Sequence, residues 1–138
     1  MRIQVFFTTS FLLCLCLCLC GCKKGKPLYP VKATIQLDGA PLASGTLYFY
    51  PLSGTPPAGG NFKDGVLDFL APPGKAKVEI KSLRNRPPEQ IPAKFKGMEG
   101  QYDMRIQILP DRYNRKTELT AEVTPDGPNE FTFDLKSK

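Results

Sequence analysis

The sequence predicts an all-β fold: an antiparallel β-sandwich of about seven strands, preceded by a cleavable signal peptide. Three observations carry this expectation. From Val31 onward apolar and polar residues alternate, which places every second side chain on one face of a strand. Glycine and proline turn signals recur between the alternating runs. Beyond the N-terminal segment, no stretch carries apolar residues at helical spacing.

Each element follows in order. Val31, Ala33, Ile35 and Leu37 alternate with Lys32, Thr34, Gln36 and Asp38, and Asp38-Gly39 marks a turn because glycine tolerates positive φ. Thr46 to Pro51 reads as a strand, with Leu47 and Phe49 on one side and Tyr48 and Tyr50 on the other. Ser53 to Gly60 is a Gly/Pro-rich loop, and Asn61–Lys63 and Val66–Leu70 flank a second turn at Asp64-Gly65. Pro72-Pro73-Gly74 leads into Lys75–Lys81, where Ala76, Val78 and Ile80 oppose four charged residues. Leu83 to Asp103 is broken by three prolines and two glycines, and Met104–Leu109 reads as an edge strand or an extended segment. Glu118–Thr124 and Glu130–Lys136 bury Leu119, Ala121 and Val123, and Phe131, Phe133 and Leu135, with a hairpin-like loop at Pro125 to Asn129.

The N-terminus carries a different signal. Arg2 precedes an apolar stretch, and all five cysteines fall at Cys14, Cys16, Cys18, Cys20 and Cys22. A charged start, an apolar middle and a small residue before a cysteine describe a secretory signal. The uninterrupted apolar run from Phe11 to Cys20 is short of the roughly 20 residues that span a bilayer. Leu19-Cys20-Gly21-Cys22 resembles the lipobox of bacterial lipoproteins. That resemblance implies cleavage before Cys22 and a diacylglyceryl group on its sulfur. The chain then divides into a signal peptide over 1–21, a lipidated tether over 22–30 and a β-sandwich domain over 31–138. Two acyl chains anchor far more firmly than one, and Lys23, Lys24 and Lys26 add attraction to anionic head groups or simply solvate the tether. The same lipoproteins carry an acidic residue after the cysteine when held at the inner membrane. Lys23 therefore points to the outer membrane, facing the periplasm or the cell surface.

Composition excludes several chemistries. The chain has no histidine and no tryptophan, and past Cys22 no further cysteine. Histidine-dependent general bases, Ser-His-Asp and Cys-His nucleophiles, disulfides within the domain and imidazole or thiolate metal sites are all ruled out. The carboxylates are scattered singly, so no catalytic residue, cofactor or metal site is expected. After cleavage the charge is +5, from eighteen basic and thirteen acidic residues. In an exported protein that favours polyanionic envelope polymers or lipid head groups over nucleic acid, for which no basic and aromatic interleaving exists.

Gly39-Ala40-Pro41, Gly45-Thr46-Leu47-Tyr48-Phe49-Tyr50-Pro51, Asp64-Gly65, Pro73-Gly74-Lys75 and Leu109-Pro110-Asp111-Arg112-Tyr113-Asn114 follow one another in a recognisable order. Thr117 to Val123 and Asn129 to Leu135 complete it. This order resembles a family of small exported proteins, many of them planctomycete lipoproteins, that is similar to carboxypeptidase regulatory-like or transthyretin-like domains. The resemblance spans about Val31 to Lys136 and implies a fold and an address without a reaction. The family often has aromatics where this chain has Leu67 and Ala76, so Phe62 or Phe69 is expected to fill that space. Hydroxyisourate hydrolases share the fold but depend on histidines and a C-terminal Tyr-Arg-Gly-Ser, both missing here.

Three surfaces are candidates for binding. Lys81, Arg84, Arg86, Lys94 and Lys96 gather in the proline-rich loop, a place for an anionic partner or an ordinary solvated loop. Arg112 and Tyr113 could hold a sugar or carboxylate, or pack at the end of the sandwich with the tyrosine hydroxyl on backbone. Tyr48 and Tyr50 form either an exposed glycan platform or a half-covered sheet face. The expected function is therefore non-catalytic: a membrane-tethered interaction or structural module with an envelope protein partner. The alternative is a module for anionic polysaccharide.

Overall fold

A computed structural model describes residues 25–98 and 100–138, so the signal peptide expected over 1–21 and the lipidation expected at Cys22 lie outside the described residues. The described chain is mostly strand: β1 (Tyr29–Leu37), β2 (Ala40–Pro41), β3 (Ser44–Pro51), β4 (Ala58–Lys63), β5 (Val66–Ala71), β6 (Gly74–Lys81), β7 (Leu83–Asn85), β8 (Arg105–Gln107), β9 (Thr120–Val123) and β10 (Asn129–Leu135). Three single 3-10 turns, at Pro88–Gln90, Ala93–Phe95 and Asp111–Tyr113, are the only helical elements described.

Seven strands form one curled sheet in the order β10-β1-β5-β4-β3-β6-β9, with β2 added to β1 and β7-β8 as a separate ribbon. Neighbours run antiparallel except β1 and β10, which are parallel from Val31–Asn129 to Leu37–Leu135. Two tight turns shape the sheet. Asp38-Gly39 and Asp64-Gly65 both have positive φ at each central residue, the type I′ geometry whose twist suits a hairpin. At the second turn β4 and β5 pair only through Lys63 and Val66 before diverging, β4 onto β3 and β5 onto β1. Gly65 is required there, because a Cβ would stand 2.5 Å from the Ile35 carbonyl, which itself lies beside the turn.

This divergence folds the two halves of the sheet toward a common core. Phe49 of β3 meets Phe69 of β5 edge-on at 5.2 Å, and Phe131 and Phe133 of β10 at 5.5 and 6.4 Å. Val31, Ala33, Ile35, Leu47, Val78, Ile80, Ala121, Val123 and Leu135 surround them. The inward positions are those the alternation named, with Leu37, Leu119 and Phe131 only partly buried. Phe62 and Ala76 are buried, and Leu67 and Phe69 are partly buried against the same cluster.

The structure corrects four expectations. β9 and β10 are not a hairpin: they lie at opposite ends of the sheet order, and the residue 124–128 link carries the chain between them. β10 joins β1 in parallel, so the sheet is not wholly antiparallel. β1 begins at Tyr29, paired with Ala71, so the domain starts inside the stretch assigned to the tether. Within the segment taken as irregular, β7 pairs with β8, which makes the 104–109 region half of a ribbon and not an edge of the main sheet.

Strand direction sorts the loops. β1 enters from the tether at Tyr29, and β3 ends, β4 starts, β5 ends, β6 starts and β9 ends at that same end. The far end receives the two I′ turns, residues 82–104 and the C-terminal residues.

Candidate functional site

The proline-rich basic loop leaves the far end through a buried hinge. Ser82 is buried; its hydroxyl donates to Ser44 O at 2.7 Å, and its amide donates to Gln107 Oε1 at 2.9 Å. The Gln107 oxygen also accepts from the Leu109 amide, and the Ile108 amide donates to Ser82 O. These bonds close the β7-β8 ribbon and fix the base of the loop that it bounds.

On that base stand most of the predicted cations. Arg84 is exposed on β7, and Arg86 donates to Gln90 O at the next turn. Lys94 lies over the Phe95 ring at 4.8 Å, and Phe95 meets Tyr102 at 5.2 Å, so a cation and two aromatics cluster at the tip. Lys96 is exposed. Among the described residues none of these four cations has a carboxylate within ion-pair distance, whereas Arg105 is held by Asp103. The Arg105 guanidinium and amide bond the Asp103 carboxylate and lower its pKa to about 2. A shallow hollow lined by Arg86, Ile91, Tyr102, Met104 and Arg105 opens between ribbon and loop. Phe95, Tyr102 and Arg105 were not among the sequence candidates. Their interleaving with the lysines becomes visible only once the loop turns back on itself.

Lys81 is separate from this cluster. It ends β6 on the outer sheet face and pairs with Glu79, whose carboxylate holds the ammonium above its usual pKa. That face also carries Tyr48 and Tyr50, 36 and 41% exposed, with ring centroids 6.4 Å apart and planes tilted by 52°. Across the register Tyr50 stands beside Lys77 and Tyr48 between Glu79 and Gly59. Gly59 therefore sets no side chain directly opposite Tyr48 on the β4 side. A Cβ at Gly59 would meet Leu47 O at 2.0 Å.

Arg112 and Tyr113 form a fastening. Tyr113 is buried, and its hydroxyl accepts from the Lys136 amide at 3.0 Å. Arg112 lies over that ring at 4.8 Å and donates to Lys136 O and Lys138 O at 3.1 and 2.7 Å. Burial alone would raise the tyrosine pKa, but the Arg112 bond, the Lys136 amide and the neighbouring charges outweigh it and leave the hydroxyl below its usual value. Buried Asn114 donates to Pro110 O and accepts from the Arg115 amide, closing the turn. The ring is thus committed to the C-terminal strand and not open to a ligand.

Arg84, Arg86, Lys94 and Lys96 lie along one ribbon-and-loop segment, and Tyr48, Tyr50 and Lys81 share the outer face of the main sheet. The structure does not join the two sets into one surface. Comparison with protein-family models, curated proteins and solved structures finds no match to this chain.

Proposed function

We propose that this chain is a lipid-anchored module of the cell envelope that works by association without catalysis, presenting its basic loop to an anionic partner. One observation carries the reading: Arg84, Arg86, Lys94 and Lys96 have no carboxylate within ion-pair distance among the described residues, and they follow a bonded base at the end opposite Tyr29. Cations carried along one loop steer and complement an acidic protein surface. The lipobox-like Leu19-Cys20-Gly21-Cys22 supports export and attachment, at the outer membrane on the Lys23 argument. The family resemblance and the Phe49 cluster bridging the sheet halves support the finer fold, a transthyretin-like two-sheet sandwich.

In-cell crosslinking followed by detergent extraction tests this. The expected result is one dominant protein at near-equal amount, lost when Arg84, Arg86, Lys94 and Lys96 are changed together to glutamine. A partner retained equally by that variant, at every salt concentration, contradicts the role of the loop.

A second reading is favoured by Tyr48 and Tyr50, adjacent, partly exposed and flanked by Lys77 on an open face. Aromatic rings with a cation beside them suit an acidic polysaccharide. On this reading Tyr48→Ala or Tyr50→Ala releases the protein from envelope polysaccharide while its thermal unfolding stays unchanged.

A further inference from the structure

The tether end of the domain differs in chemistry from the far end. Leu28, Leu52 and Leu70 are 54, 65 and 56% exposed, and strand direction brings all three to the end where the chain enters. Leu28 and Leu70 line a groove with Lys26, Pro56, Pro57 and Pro72. No carboxylate lines it. Acids do stand at this end: Asp68 and Glu130 border a different hollow beside Val31 and Phe69, and Glu122 and Asp126 lie near the end of β9 and in the link after it.

We infer that this apolar end is a membrane contact, resting on the bilayer to which Cys22 is attached. The inference depends on the anchoring reading above. Its geometric support is the tether's length: Cys22 precedes Leu28 by only six residues, which reach about 20 Å even fully extended, at roughly 3.3–3.6 Å per residue. A domain so tethered must hold its Leu28 end near the head groups. Exposed leucines and prolines beside Lys26, with Lys23 and Lys24 preceding, match the interface between acyl chains and anionic head groups. The consequence is orientation: the basic loop faces away from the membrane, where a partner can reach it.

The chain's lack of tryptophan gives a direct test. Single tryptophans replace Leu28, Leu70 or, at the far end, exposed Leu83, in the full-length protein extracted with its lipid. Each variant is reconstituted into phosphatidylethanolamine/phosphatidylglycerol vesicles brominated close to the head groups. The expected result is at least twofold stronger quenching for Leu28→Trp and Leu70→Trp than for Leu83→Trp, with blue-shifted emission only in vesicles. An acylated protein whose three tryptophans are quenched alike, or not at all, overturns the membrane contact and leaves the anchor standing. Blue-shifted emission that persists in detergent, together with a dimer in sedimentation, assigns the groove to a second copy and also overturns it. An extracted chain without acyl groups by intact mass sinks the anchor reading and this one with it. Should Leu70→Trp fail to fold, Leu52→Trp at the same end takes its place.

Discussion

The Asn129 side chain accepts from the Thr124 amide at 2.8 Å and donates to Thr124 O at 3.0 Å and to Pro30 O at 3.3 Å. It is buried, and these bonds tie the end of β9, the start of β10 and the entry to β1. Asn129→Ala leaves an amide and two carbonyls short of partners at that junction. The expected loss is about 1–3 kcal/mol, read from urea unfolding of the chain from Gly25 onward, which holds every strand described. Asp103 makes an electrostatic prediction at the same scale. Its pKa is lowered to about 2 by the Arg105 side-chain and amide bonds. A lowered carboxyl pKa favours the fold above the unfolded value near 3.8, and that contribution disappears as pH falls from there through about 2. The carboxylate is fully exposed, so the effect is read in its own titration: its NMR midpoint near 2 should return toward 3.8 in Arg105→Gln.

At the scale of elements, the Asp64-Gly65 turn decides how the sheet divides. It is where β4 and β5 separate, and Gly65 packs against the Ile35 carbonyl at a φ of +73°. Gly65→Ala introduces both backbone strain and a contact that cannot relax cheaply. It should cost more than about 1 kcal/mol, and more than Gly39→Ala, whose Cβ would meet nothing, when the two are compared by thermal melting. This turn was legible from Asp-Gly between alternating runs, as were the inward faces of β1, β3, β6, β9 and β10. Partner choice was not. Alternation tells which face of a strand is buried and says nothing of which strand lies beside it. Pro125 to Asn129 therefore read as a hairpin, although Asn129 and the parallel β1–β10 register send the chain across the fold. The short β7 was hidden among prolines for a related reason: its pairing depends on Gln107 capturing the Ser82 amide from 25 residues away.

Over the whole molecule, the two ends carry opposite characters: exposed leucines and prolines where the chain enters β1, and at the far side cations without carboxylate partners among the described residues. The sequence named the cations one by one but not their common end, because that follows from strand direction. It offered Arg112 and Tyr113 either as a ligand site or as end packing with the tyrosine hydroxyl on backbone; the fold has the second arrangement, and adds the Arg112 bonds to Lys136 O and Lys138 O that the sequence did not foretell. The account as a whole rests on attachment at Cys22, since the orientation of both ends follows from it. Intact-mass analysis of the protein extracted from the membrane fraction tests that most directly. The account predicts a chain that begins at Cys22 and carries a diacylglyceryl group, found in membranes and released only by detergent. A chain that retains Met1, bears no lipid and remains in the aqueous fraction would contradict it.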